Sequence, residues 1–272
     1  MKPHLFITLV VFILIPVFSM PVFSQEHHYW SNQFGSRSAL MSGAVVGGVR
    51  DTSAGFYNPG ALGFIDQATF SASGNGYQVE SVDISRGAGT GQDIDSFNTN
   101  IVPLLISGTV MWRGHAFGYS LITKNQSDVK MSGRVDKELD VLQSNSLAGS
   151  NVFDGSEDYR AQFTYNSDVS ETWGGLSWAY QVRDNISVGV SGFLALRDQS
   201  FNVTQFARAT NTNSFFLASE DAFLNADFYN VRGLLKFGVA ADFGALKLGA
   251  TMTTPSLSLV GKGTVAGGGW TI

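Results

Sequence analysis

The residues with the most chemical potential in this sequence are few and scattered. Its four histidines are His4, His27, His28 and His115. His27 and His28 are adjacent, and neighbours in an extended segment do not readily ligate one metal together. His115 follows the turn pair Arg113-Gly114 and has no nucleophile motif around it. Three stretches look like the start of binding loops. "RGAGTGQD" is glycine-rich, but no Lys-Ser or Lys-Thr follows to complete a phosphate cradle. "VGKGT" lacks the first glycine of that motif and has Gly263 after Lys262. Asp93 and Asp95 in "DIDSFNTN" are spaced like the first calcium-loop ligands, yet Phe97 takes a ligand position, so a solvated loop is the better reading. With no cysteine, thiolate chemistry and disulfides are excluded. The expectation is a protein that is not an enzyme and uses neither cofactor nor metal.

The remaining composition asks what such a chain builds instead. It opens "MKPHLFITLVVFILIPVFSMPVFSQ": Lys2 and His4, an apolar run from Leu5 to Phe18, then "VFS" before Gln25. That is the anatomy of a secretory signal peptide over residues 1–24. The rival reading, a membrane anchor, is cut short by Pro16 and Pro21, since a spanning helix needs roughly 20 apolar residues. A net charge of -5 argues against nucleic acid as a partner, because phosphate contacts need clustered Lys and Arg. Only 14% of residues are charged, while glycine reaches 31 and phenylalanine 21. Beyond the leader no apolar stretch could cross a bilayer as a helix. These features point to an all-β, antiparallel transmembrane β-barrel, because a closed sheet satisfies its backbone in lipid without helices. An exported soluble β-sandwich is the alternative.

From Gln67 onward the dominant period is two. In "HAFGYSLITK", Phe117, Tyr119 and Leu121 oppose Ala116, Gly118, Ser120 and Lys124. In "NISVGVSGFLALR", Ile186, Val188, Val190, Leu194 and Leu196 share a face, and Phe193 is the exception on the other. In "FYNVRGLLKFGVAADF", Tyr229, Val231, Leu235, Phe237 and Val239 oppose Asn230, Arg232, Lys236 and Asp242. The pattern predicts seven strands at about 67–80, 100–112, 115–131, 157–181, 186–205, 222–242 and 246–260. Tight turns at Arg113-Gly114, Arg183-Asp184-Asn185 and Gly244 alternate with long polar connections, the rhythm of an outer-membrane barrel. Seven is odd, and the tail "VGKGTVAGGGWTI" reads as the start of another surface loop. The barrel strands at 67–272 are therefore expected to be an incomplete set. A complete eight-stranded barrel using 264–272 as its last strand is the other option.

Residues 25–66 lack this period. Ser38 to Val49 is small and apolar, with Ala39, Leu40, Gly43 and Ala44 able to line one helical face. Asp51 and Ser53 are suited to satisfy backbone donors, and Asn58-Pro59-Gly60 is a turn signal. Phe56, Tyr57 and Pro59 are too apolar for an uncovered loop, so a barrel wall is expected to cover them. The series Gly43-Ala44, Arg50-Asp51, Ser53-Ala54 and Phe56-Tyr57-Asn58-Pro59 resembles the N-terminal hatch of the FadL family of outer-membrane transporters. The family has an Asn-Pro-Ala motif in a plug inside a fourteen-stranded barrel, so the resemblance implies that the seven strands are about half of the barrel; here Gly60 stands where alanine is usual. The match covers about 25 residues, and the remainder is similar only in strand-and-loop rhythm.

The resemblance implies a bacterial outer-membrane location, lipid around the barrel, and passage of a hydrophobic compound such as a long-chain fatty acid or aromatic hydrocarbon. It places a gate at Arg50, Asp51, Phe56, Tyr57, Asn58, Pro59 and Gly60. Strand parity adds Phe193, Phe228 and Leu234 as lumen residues, and Phe215, Phe216 and Leu217 as an exposed apolar cluster suited to low-affinity capture. FadL-like barrels also occur as docking components of secretion or surface-assembly systems, where secreted proteins would be the partners. The hatch signature does not separate these two readings.

Overall fold

The computed structural model describes residues 33–74, 77–85, 93–101, 104–140, 155–211, 213 and 217–271. The signal peptide expected at residues 1–24, His27, His28, Phe215 and Phe216 lie outside them. No described helix is long and apolar enough to cross a membrane.

The described chain opens with three short helical turns: α1 at Ser36–Leu40, α2 at Ala54–Tyr57 and a 3-10 helix at Pro59–Phe64. The longer helical face expected over Ser38 to Val49 is not formed. Helix α1 stops at Leu40, which is exposed, and the chain turns at Ser42 and Gly43, both at positive φ. Ten strands follow: β1 Thr69–Gly74, β2 Tyr77–Ile84, β3 Ile94–Ile101, β4 Leu104–Trp112, β5 His115–Leu139, β6 Glu157–Arg183, β7 Ile186–Asn211, β8 Leu217–Asp242, β9 Lys247–Thr253 and β10 Leu257–Thr271.

All described pairings are antiparallel, in the order β1-β4-β5-β6-β7-β8-β10, with β9 also on β8 and β2 paired with β3. Strands β9 and β10 lie end to end along β8, interrupted at Thr254–Ser256, so the order has the seven positions the sequence predicts. Among the described strands the sheet is not closed: β1 and β9/β10 remain its edges.

Strands β5, β6, β7 and β8 run to 25, 27, 26 and 26 residues, longer than the sequence predicts. Much of the polar sequence read as surface loop is strand. Residues 77–84 pair with 94–101, which puts Asp95 and Phe97 in a ladder rather than a solvated loop. The Gly-rich tail pairs with β8 from Leu257 to Thr271, so it is neither a loop nor an eighth strand. Local polarity misleads here because cross-strand hydrogen bonds use the backbone, whatever the side chains are. At the short-turn end Arg113 and Gly114 both take positive φ, as a two-residue hairpin of the preferred twist requires.

Each long strand changes character along its length. Near the short turns the outer face is apolar and exposed, as at Phe117, Tyr119, Leu176, Trp178, Leu235 and Phe237, while the inner face is small: Ala116, Gly118, Ala179, Gly189, Gly238 and Ala240. Farther along, the outer face becomes charged. Lys130 meets Asp128 at 2.6 Å, and Arg160 bridges Asp136 and Asp158 at 3.4 and 3.1 Å. The Asp128 hydrogen bond and charge raise the Lys130 pKa. The inner face there carries Val129, Met131, Phe163, Tyr165, Phe201 and Val203. A bulge lies at the changeover, because Thr123 pairs Thr172 while Asn125 pairs Glu171. Lys124 is the extra residue, and it turns inward with Asn125.

Candidate functional site

The site is where residues 33–65 meet the inner face of the sheet. The segment reaches β4 through Ser107 Oγ, which donates to Thr52 Oγ1 at 2.6 Å, and β8 through Arg50 Nη2, which meets Asp242 Oδ2 at 2.9 Å. Contacts on strands so far apart in the order require the sheet to curve around the segment. The small inner side chains let it lie close: Val45, Val49, Ala54, Ala61 and Leu62 are buried with Ala116, Ala179 and Ala240.

Asn58 is the central fastening. Fully buried, it donates from Nδ2 to Val46 O at 2.8 Å and to Val239 O at 3.0 Å, and its Oδ1 accepts from Gly60 N–H at 3.1 Å. One side chain thus ties an earlier loop, strand β8 and the start of the 3-10 helix, where Pro59 supplies the fixed φ. Gly60 lies directly on the wall: a Cβ there would sit 2.7 Å from Gly238 O, and one on Gly189 would sit 2.5 Å from Pro59 O. This accounts for glycine at position 60, since alanine would push the motif off the strand backbone.

The other residues expected at a gate lie in the same segment. Asp51 Oδ1 accepts from Ser53 N–H at 2.9 Å, forming the turn into α2. Tyr57 Oη accepts from Phe34 N–H at 2.9 Å and also meets Ser38 Oγ. Arg50 lies over the Phe64 ring at 4.6 Å. Asp242 also accepts from Gly244 N–H at 2.9 Å and meets Lys247 Nζ at 3.4 Å. The Arg50 hydrogen bond, then that backbone N–H, holds the Asp242 carboxyl down to about 2.

Phe56 is the hub of an aromatic cluster. Its ring centroid lies 5.0 Å from Phe34, 6.1 Å from Trp173 and 6.3 Å from Phe193. Leu234 is buried in the same cluster with Leu105 and Ile122. Phe193 and Leu234, the apolar exceptions of the parity argument, are therefore brought to the segment. Phe228 is not: it is half exposed, farther along the inner face, with its ring against Gly263. Leu217 begins β8 and is exposed.

Charged groups surround the aromatic cluster. Lys236 Nζ donates to Phe56 O at 2.6 Å and lies 4.6 Å from the Phe56 ring centre; Lys124 Nζ approaches that ring at 4.9 Å. One tier farther along, Glu171 accepts from Trp173 Nε1 at 2.6 Å and pairs with Arg232 at 3.0 Å and Arg197 at 3.8 Å. Arg232 Nε and Asn230 Oδ1 are buried without a hydrogen-bond partner among the described residues. None of these charged residues stood out as a site in the sequence. The available signal was ionisable side chains on an otherwise small, inward face of a membrane-type strand.

No family model and no curated protein matches the chain. Among solved structures, two mutants of a porin from Rh. blastica are similar at 14% and 12% identity, aligned over 74% and 75% of this chain and 98% and 100% of theirs, each with a TM-score of 0.15. A chain described as "Asymmetric conductivity of engineered proteins" aligns at 12% identity over 75% of this chain and 100% of its own, also at 0.15. Scores this low carry no argument about function.

Proposed function

We propose that this chain is the plugged part of an outer-membrane transporter for hydrophobic compounds, with residues 33–65 as the plug. The observation that carries the reading is the exchange of faces along the strands. The outward apolar stretch from Tyr229 to Val239 on β8 fits the roughly 9–11 residues a tilted strand uses to cross a bilayer. Beyond it the outer face is ion-paired and the inner face is lined by Val129, Met131, Tyr165, Phe201 and Val203. A channel for hydrophilic solutes has no need of such a lining. An apolar solute gains from it, with a few polar groups fixing orientation.

The lining leads to the Phe56–Trp173–Phe193 cluster, where the plug meets Lys124 and Lys236, with Arg197 and Arg232 one tier farther along on Glu171. Four cations near one described carboxylate, Glu171, favour an amphipathic anion such as a long-chain fatty acid over a neutral hydrocarbon. The unpartnered Arg232 Nε and Asn230 Oδ1 supply polar contacts for its head group. Passage then requires the plug to shift, with each site binding weakly enough to release.

The test is a planar-bilayer recording beside a native mass spectrum of protein extracted from its membrane. Deleting residues 33–65 is expected to raise conductance severalfold, and the intact protein to carry an adduct of fatty-acid mass. Unchanged conductance with no such adduct would remove the plug and the transport reading together. Co-purification of a large secreted protein in place of the adduct would favour the docking role.

A further inference from the structure

We propose that Lys236 couples ligand charge to plug release: an anionic head group draws its ammonium off Phe56 O and thereby loosens residues 53–65. The inference rests on the transport reading above and names the residue through which it acts. Helix α2 is a single turn, and the last carbonyls of a helix have no intrahelical donors. Two strand side chains supply them. Ser191 Oγ donates to Gly55 O at 2.7 Å, and Lys236 Nζ donates to Phe56 O at 2.6 Å.

The two donors differ in kind. Ser191 is neutral, buried, and held by Ser177 Oγ at 2.6 Å. Lys236 is a cation on a flexible stem, with its Nζ beside the Phe56 ring and the Lys124 ammonium on that same ring. A carboxylate is the stronger acceptor for an ammonium than a neutral carbonyl is. A head group arriving near Lys124 and Lys236 therefore competes with Phe56 O for the same donor. Losing it leaves a helix-end carbonyl unsatisfied in a buried site and weakens the plug where Asn58 fastens it. A neutral apolar ligand fills the same aromatic surroundings without this competition. Ligand charge, rather than ligand volume, is then what opens the plug.

Hydrogen–deuterium exchange of residues 53–65 reads this directly, on the full chain in detergent with dodecanoate or dodecanol, binding being followed by native mass spectrometry. Dodecanoate is expected to speed exchange about fivefold or more, in the range of ordinary coupling between sites, and dodecanol to leave it unchanged. Lys236→Met should exchange fast without ligand and ignore dodecanoate. Lys236→Gln guards against a folding failure, since its amide can still donate to Phe56 O but carries no charge. It should keep the slow exchange and ignore dodecanoate, whereas Ser191→Ala should still respond. If both ligands bind and act alike, if dodecanoate slows exchange, or if Lys236→Gln still responds, the coupling is overturned while transport stands. If neither ligand binds, both fall.

Discussion

Asn58 uses both amide hydrogens and its oxygen within the protein, and no other side chain replaces that set. An aspartate lacks the donors for Val46 O and Val239 O; an alanine leaves those carbonyls and Gly60 N–H unsatisfied in a buried place. Asn58→Ala is expected to destabilise the packed segment by roughly 2–4 kcal/mol, from the cost of unpaired buried groups. Limited proteolysis should then cut between residues 46 and 60 while β5 to β8 stay protected. The Arg50–Asp242 pair lies past the apolar band and answers to pH. Asp242 titrates near 2, below the ordinary 3.8, so its contribution is fully present above about pH 4 and lost as pH falls through about 2. Proteolysis or exchange of the segment across that window should show loosening that Asp242→Asn lacks, because the variant has no proton to take up there. At neutral pH the pair stays ionised, so it fastens the segment without sensing physiological pH.

Strands carry two environments each, and substitutions should respect the border between them. Phe237 faces outward within the apolar band, while Ser200 faces outward beyond it, opposite Asp168 and Asp227. Phe237→Arg is expected to cost roughly 2–4 kcal/mol in urea-titrated folding into liposomes, the penalty of a cation near the bilayer midplane, and Ser200→Arg close to nothing. Equal effects would mean that the band does not meet lipid. Much of the element plan was legible in the sequence because alternation is local: Phe117, Tyr119 and Leu121 announce their face, and Asp51, Ser53, Asn58 and Pro59 announce their turns. Other features depend on residues far apart. The bulge at Lys124 shows only against β6, and the requirement for Gly60 appears only once Gly238 lies beneath it. Residues 81–84 of β2 and 94–99 of β3 looked like loop because their ladder is made by backbone, and Lys236 looked like an ordinary polar-face residue until Phe56 O met it.

At the scale of the whole molecule the direction of the edge strands decides what can complete the sheet. β1 is antiparallel to β4, and the alternation through β5, β6, β7 and β8 gives β9 and β10 the same direction as β1. Joining the two edges directly makes a parallel seam in an otherwise antiparallel sheet. Antiparallel closure needs an odd number of further strands, whether they continue this chain or come from another. The β10 edge meanwhile presents unpaired backbone groups along Leu257–Thr271, with the described side chains of that strand exposed on both faces. In lipid each such group is costly, and in detergent a long free edge is a template for a second copy. The chain of 272 residues is therefore expected to self-associate in detergent through β10. Because it contains no cysteine, Thr264→Cys gives an unambiguous reporter: a disulfide-linked dimer should form, and light scattering should show more than one copy per micelle. A strictly monomeric particle without the cross-link would mean that β10 finds its partner within the chain. Among the described strands β1, β2 and β3 each keep an edge, and a direct join to β1 would make the parallel seam.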